Sequence, residues 1–190
     1  DRVRLSAKKL TPETLIHVLR GYGGHYRSWR NRRTHAIPFG VVPGIELLPR
    51  QLHTRSPLDE PVRVPLNLSE LLDDKPGPIF LHATPSGWRG APPITQGVVQ
   101  LTDLGAIWKH HAHGASVFVF SHRSGKPLAN ARVSIHEDDS HMLVSTRTDG
   151  NGIAHFQHDS IISQHPSSKR RWLMIRNGDD VHALDFSKHQ

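Results

Sequence analysis

Thr148-Asp149-Gly150-Asn151-Gly152-Ile153-Ala154-His155-Phe156 combines a tight reversal with the strand that leaves it. Gly and Asn adopt positive φ at little cost, and an Asp side chain bonds the backbone just ahead of it, so Asp149–Gly152 predicts a turn. Beyond the turn the side chains alternate: Ala154 and Phe156 share one parity and His155 takes the other. The pattern predicts a half-buried strand with Ala154 and Phe156 in a core and His155 in solvent. Thr146–Thr148 closes the preceding run, so the two runs are expected to be antiparallel neighbours in one hairpin.

The same grammar extends in both directions. Strand-like runs lie at Val98–Thr102, Ala106–His110, Ser116–Ser121, Ala131–His136, Met142–Thr148, Gly152–Gln157, Arg171–Arg176 and Asp180–Phe186. A recurrence of about 8–12 residues with turn signals between runs predicts a β-sandwich or barrel. Within one run, Ala131, Val133 and Ile135 face one way while Arg132, Ser134 and His136 face the other. Ser124-Gly125-Lys126-Pro127 and Asn177-Gly178-Asp179-Asp180 supply further turns. No part of this half reads as a long helix.

The first half is more mixed. Arg2–Ser6 alternates as a strand, and Thr11-Pro12-Glu13 marks a helix start, with Thr at the N-cap, Pro in the first turn and an acid beside it. Leu15, Val18 and Leu19 follow helical spacing and Gly21 closes the segment, which predicts a short helix near 11–20. Residues 22–44 are broken by Gly23, Gly24, Pro38 and Pro43 and form a basic loop. Ile45–Thr54 reads as a strand bent at Pro49, Val62–Leu68 as an edge strand containing Pro65, Ser69–Leu72 as one helical turn, and Pro78–Thr84 as a further strand. The breaker-rich stretch Pro85–Pro93 forms a link, so two β-rich domains are expected, 1–96 and 97–190, the second a sandwich of about seven strands.

Composition narrows the function classes. The 190 residues contain no cysteine, which removes disulfides, Cys-ligated zinc and thiol nucleophiles together. No run approaches the ~18 consecutive apolar residues of a membrane span, and the charged start Asp1–Lys9 carries no signal-peptide pattern. Residues 1–96 hold 14 basic and 8 acidic side chains, whereas residues 97–190 hold 10 and 9, so the basic excess belongs to the first half.

Its densest part is a candidate anion-binding patch at Arg27, Arg30, Arg32 and Arg33, interleaved with Tyr26 and Trp29. Arginines beside aromatics can stack on and neutralise an anionic polymer, although an exposed solvated loop explains the same residues. Eleven of the 16 histidines follow residue 97. His111 and His113 would share a strand face as a metal pair, but Ala112–Ala115 reads as a hairpin tip. Glu137-Asp138-Asp139 and Asp149-x-Asn151 lack the spaced acids of a calcium loop and read as turns. There is no G-x-S-x-G, no H-E-x-x-H and no phosphate-binding glycine loop, so no catalytic, metal or cofactor-binding residue is assigned and no enzyme is expected.

Several segments carry a resemblance. Val98–Gly105, ending in Thr102-Asp103-Leu104-Gly105, resembles the opening of a macroglobulin-like domain in bacterial α2-macroglobulins. Ser124–Val133 resembles that family's G-K-P-x-x-x-A-x-V turn, Thr148–Phe156 its T-D-x-x-G-x-A-x-F segment, and Leu173–Asp180 its closing strands. Thr11–Gly21 and Val62–Leu72 more faintly resemble the preceding domain of the same proteins.

The resemblance implies a mainly all-β fold, as tandem macroglobulin-like or immunoglobulin-like β-sandwich domains with a short helix in the first. It implies a structural and interaction module of a protease-trapping inhibitor in the periplasm or cell envelope, without catalysis in this segment. Its partners would be neighbouring macroglobulin domains and, through the full-length protein, target proteases; any membrane contact would come from an anchor elsewhere, with no specific nucleic acid. Many members carry a Cys–Gln thioester, which a cysteine-free segment cannot hold. The alternative is an envelope module that uses the basic loop 27–33 for an anionic polymer.

Overall fold

The computed structural model describes residues 2–21, 36–54, 60–90, 92–137, 141–157 and 170–186. Its contacts divide the chain into two units, Asp1–Leu101 and Thr102–Gln190.

In the first unit, strand β1 (Arg2–Lys9) leads into helix α1 (Pro12–Arg20). Thr11 caps α1 as expected: its Oγ1 accepts the Thr14 N–H at 3.4 Å, and the Thr14 Oγ1 accepts the Thr11 N–H at 3.0 Å. Gly21, at φ 81°, ends the helix where a side chain would be strained. Strands β2 (Ile45–His53), β3 (Gly77–Pro85) and β4 (Thr95–Leu101) join β1 in one antiparallel sheet of order β2-β1-β3-β4. One face buries Ala7 and Ile79 against Leu71 and Leu72, around the short helix α2 (Leu68–Leu71). On the other face Lys8 is only 4% exposed; its Nζ donates to the Val42 carbonyl at 2.9 Å, pairs with Glu46 and lies over the Phe39 ring.

Two expectations for this half shift. Val62–Leu68 is not an edge strand: residues 61–67 have no regular structure and α2 begins at Leu68. Pro65 has no N–H for a ladder, and Val62, 45% exposed, gains no burial from joining one. Thr95–Leu101 is likewise not the opening strand of the second unit. It pairs with β3 from Gly77↔Leu101 to Ala83↔Thr95, so the chain changes units after Leu101 rather than near residue 96.

The described residues of the second unit form a sandwich of seven strands. One sheet has the order β5-β6-β9, built from β5 (Leu104–His111), β6 (Gly114–Ser121) and β9 (Ile153–Gln157). The other has the order β11-β10-β7-β8, built from β7 (Arg132–Glu137), β8 (Met142–Arg147), β10 (Arg171–Asn177) and β11 (Asp180–Asp185). Alternate residues of both sheets meet in one core containing Leu104, Val117, Val119, Val133, Ile135, Leu173 and Ile175. Ala154 and Phe156 join that core at 0% and 3% exposure, while His155 is exposed, as their parity predicts.

The hairpin expectation is corrected. β8 pairs with β7 and β9 pairs with β6, so Asp149–Gly152 carries the chain from one sheet to the other. The turn itself is as expected: the Asp149 Oδ1 accepts the N–H groups of Asn151 and Ile153, each at 2.9 Å, and Gly152 sits at φ 76°.

Candidate functional site

Arg27, Arg30, Arg32 and Arg33 lie outside the described residues. So do Asp138 and Asp139, while Glu137 ends β7 at only 7% exposure instead of standing in a solvated turn. The Asp149 carboxylate is engaged by its own turn. His113 occupies the tip between β5 and β6, whereas His111 ends β5 opposite Gly114. The structure brings His111 towards His155 instead: the Ser116 Oγ lies 3.4 Å from His111 Nε2 and 3.1 Å from His155 Nδ1. Among the described residues no group of three or more His, Asp or Glu is placed to hold a metal ion.

The Thr102-Asp103-Leu104-Gly105 stretch is a polar junction. The Thr102 Oγ1 accepts the Leu104 N–H at 3.0 Å, and the Asp180 Oδ2 accepts the Asp103 N–H at 2.9 Å. The Asp103 carboxylate accepts the Ser121 hydroxyl at 2.6 Å and the Arg123 N–H at 2.7 Å. The hydroxyl bond first, and the backbone bond next, hold the Asp103 carboxyl below its ordinary range. His182 Nδ1 donates to the Leu104 carbonyl at 2.8 Å, and burial pushes its imidazolium pKa down. All of these groups tie strand ends together.

A serine–histidine pair occurs on β7, with the Ser134 Oγ 2.8 Å from His136 Nε2. Ser134 is 4% exposed and its hydroxyl also faces the Met174 carbonyl of β10 at 3.4 Å. A hydroxyl sequestered in this way links two strands and is closed to a substrate.

An open groove of this unit lies at the other end of the same sheet. It has a volume of about 340 Å³ and is lined by Asn130, Arg132, Arg147, Arg176, Asn177 and Gly178. The three arginines come from three adjacent strands in direct register, Arg147↔Arg132 across β8 and β7 and Arg132↔Arg176 across β7 and β10. The Arg147 Nη1 donates to the Asn130 carbonyl at 2.9 Å and to its side-chain Oδ1 at 3.2 Å. Asn130 itself sits in the left-handed region at φ 61°. The Arg132 Nε donates to the Ser145 hydroxyl at 3.0 Å. Thus Arg132 and Arg147 are steered by neutral acceptors. Sequence reasoning placed Arg132 on the outward parity of its strand, but Arg147 and Arg176 stand 15 and 44 positions further along the chain. Only the strand order brings the three together.

Comparison with known proteins locates the fold. Residues 101–190 match the family model described as the bacterial alpha-2-macroglobulin MG3 domain. The whole chain is similar to a crystal structure of native alpha-2-macroglobulin from Escherichia coli spanning domains NIE-MG1. The TM-score is 0.71 at 13% identity, covering 99% of this chain and 85% of that one. A second structure of that protein, spanning domains MG0-NIE-MG1, gives a TM-score of 0.66 at 16% identity and covers 97% of this chain. The chain spans just over half of that second structure, 55%. No curated protein matches the chain. At these identities the structural likeness speaks for the fold alone.

Proposed function

We propose that the chain, whose residues 101–190 match the bacterial alpha-2-macroglobulin MG3 domain model, is a non-catalytic structural module of a protease-trapping inhibitor. The family match over the second unit carries this reading. The physical form agrees with it: a sandwich buries the inner faces of two sheets and leaves outer faces and end loops for neighbouring modules. The polar residues of the second unit whose geometry most invites chemistry, Ser134 and Asp103, are spent on holding strands. The first unit is read as the preceding module of the same protein, supported by a likeness that covers 99% of the chain. Such an inhibitor would work in the periplasm or cell envelope, where this segment would contact other macroglobulin domains, and target proteases would meet the full-length protein.

The test uses the protein encoded by the complete reading frame. Incubated with a protease, it should block digestion of a large protein substrate while leaving hydrolysis of a small peptide substrate intact, because enclosure excludes by size. Equal digestion of both substrates with and without the protein would overturn the reading, as would a reading frame that adds no further macroglobulin domain.

A further inference from the structure

We infer that the arginine row Arg147–Arg132–Arg176 is a binding site for a phosphate group. Residues directly opposite on neighbouring strands have Cβ atoms about 5 Å apart, and like charges so placed destabilise a sheet. Here that arrangement occurs twice in succession, Arg147 to Arg132 and Arg132 to Arg176. An anion of high charge density seated between the forks removes the repulsion and satisfies several planar N–H donors at once.

The groove is built for such a group. Arg147 is fixed at one end by Asn130, and among the described residues only its Nη1 has a side-chain hydrogen-bond partner, which leaves Nε and Nη2 as donors. Asn130 and Asn177 add side-chain amides at the two ends, and none of the described residues that line the groove is acidic. The volume, about 340 Å³, admits a phosphoryl group with several waters of about 30 Å³ each. Among the described residues no apolar side chain lines it either, so an acidic protein segment would find charge there but no pocket for an anchoring residue. The chemistry therefore favours a phosphate, whether on a soluble molecule or on a lipid headgroup. The inference stands on this unit's own geometry and does not depend on the protease-trapping reading.

The experiment follows thermal unfolding of the full chain at pH 8 and constant ionic strength as inorganic phosphate replaces chloride. In parallel, the chain is sedimented with phosphatidylcholine vesicles with and without phosphatidic acid. Phosphate should raise the midpoint of the wild type, and Arg147→Gln and Arg132→Gln should each weaken that response about tenfold or more, as for loss of a charge-assisted hydrogen bond. Arg147→Lys should recover part of it, since charge returns without the fork. Arg4→Gln, at an exposed arginine of β1, should change nothing. A response to soluble phosphate assigns a soluble ligand. Row-dependent binding to phosphatidic acid vesicles without a solution response assigns a lipid headgroup.

Silence in both arms overturns the inference. A phosphate response that survives in Arg132→Gln and Arg147→Gln also overturns it, and combined replacement of Arg27, Arg30, Arg32 and Arg33 then tests the basic loop. A Glu-rich peptide that binds through the row while both phosphate arms stay silent overturns it in favour of a protein segment.

Discussion

The Asp103 carboxylate accepts the Ser121 hydroxyl at 2.6 Å, which ties the entry of β5 to the end of β6. Ser121 is 6% exposed and its Oγ also accepts the Ser124 N–H at 3.1 Å, so one hydroxyl serves the strand entry and the following turn. Because the Ser121 bond is the first cause of the lowered Asp103 pKa, Ser121→Ala should raise it towards the ordinary carboxylate value. A carboxyl whose folded pKa lies below its unfolded value of about 3.9 stabilises the fold above that value and loses the effect as pH falls through the folded one. NMR titration of Asp103 in both proteins checks the shift. An unchanged pKa in Ser121→Ala would remove the hydroxyl as its cause.

His182 acts in the same direction on the pH axis but in a higher window. Burial, the largest cause, lowers its pKa against the raising effect of the Leu104 carbonyl. Below the unfolded value of about 6.5 the unfolded chain takes up the proton more readily, so stability should decline as pH falls from about 6.5 towards the lower folded pKa. His182→Gln should flatten that part of the profile. Urea unfolding midpoints between pH 7.5 and 5 measure it, and equal slopes for both proteins would refute the assignment.

Phe156 and His155 test the register of β9. Phe156→Ala should cost about 3–5 kcal/mol, as for a buried aromatic, and His155→Ala should stay within about 0.5 kcal/mol. Gly152→Val should also destabilise, by about 1–3 kcal/mol for the left-handed backbone alone. A Cβ at Gly152 would in addition lie 2.6 Å from the Val119 carbonyl oxygen. Urea unfolding of the three variants decides; a costly His155→Ala beside a silent Phe156→Ala would invert the strand.

Gly105 leaves room for an aromatic ring. It lies opposite Phe120 in the β5–β6 ladder, and a Cβ there would overlap the Phe120 ring, which stacks on Phe118 with centroids 5.6 Å apart. Gly105→Ala should therefore cost about 1–3 kcal/mol, as for overpacking. In the Phe120→Ala background the same change should cost little. A double-mutant cycle by chemical denaturation measures the coupling, and strictly additive effects would show that the ring is not the obstacle.

The sequence alone determined what depends on neighbours a few residues apart. The Thr11 cap and Gly21 stop of α1, the turn at Asp149–Gly152, and the inward parity of Ala154 and Phe156 all follow from local backbone preferences and a period of two. The resemblance of the second half to macroglobulin domains rested on the same kind of local signal. The partner of each strand was left open, because every strand of a sandwich carries a similar alternation and the pairing is chosen by hydrogen bonds and burial between distant segments. Only the tertiary structure sent β8 to β7 and β9 to β6, and only it assigned Thr95–Leu101 to the first unit's sheet. The arginine groove belongs to the same class. Arg132, Arg147 and Arg176 are three unremarkable surface residues in the chain, and they become one charged row because β8, β7 and β10 lie side by side in register.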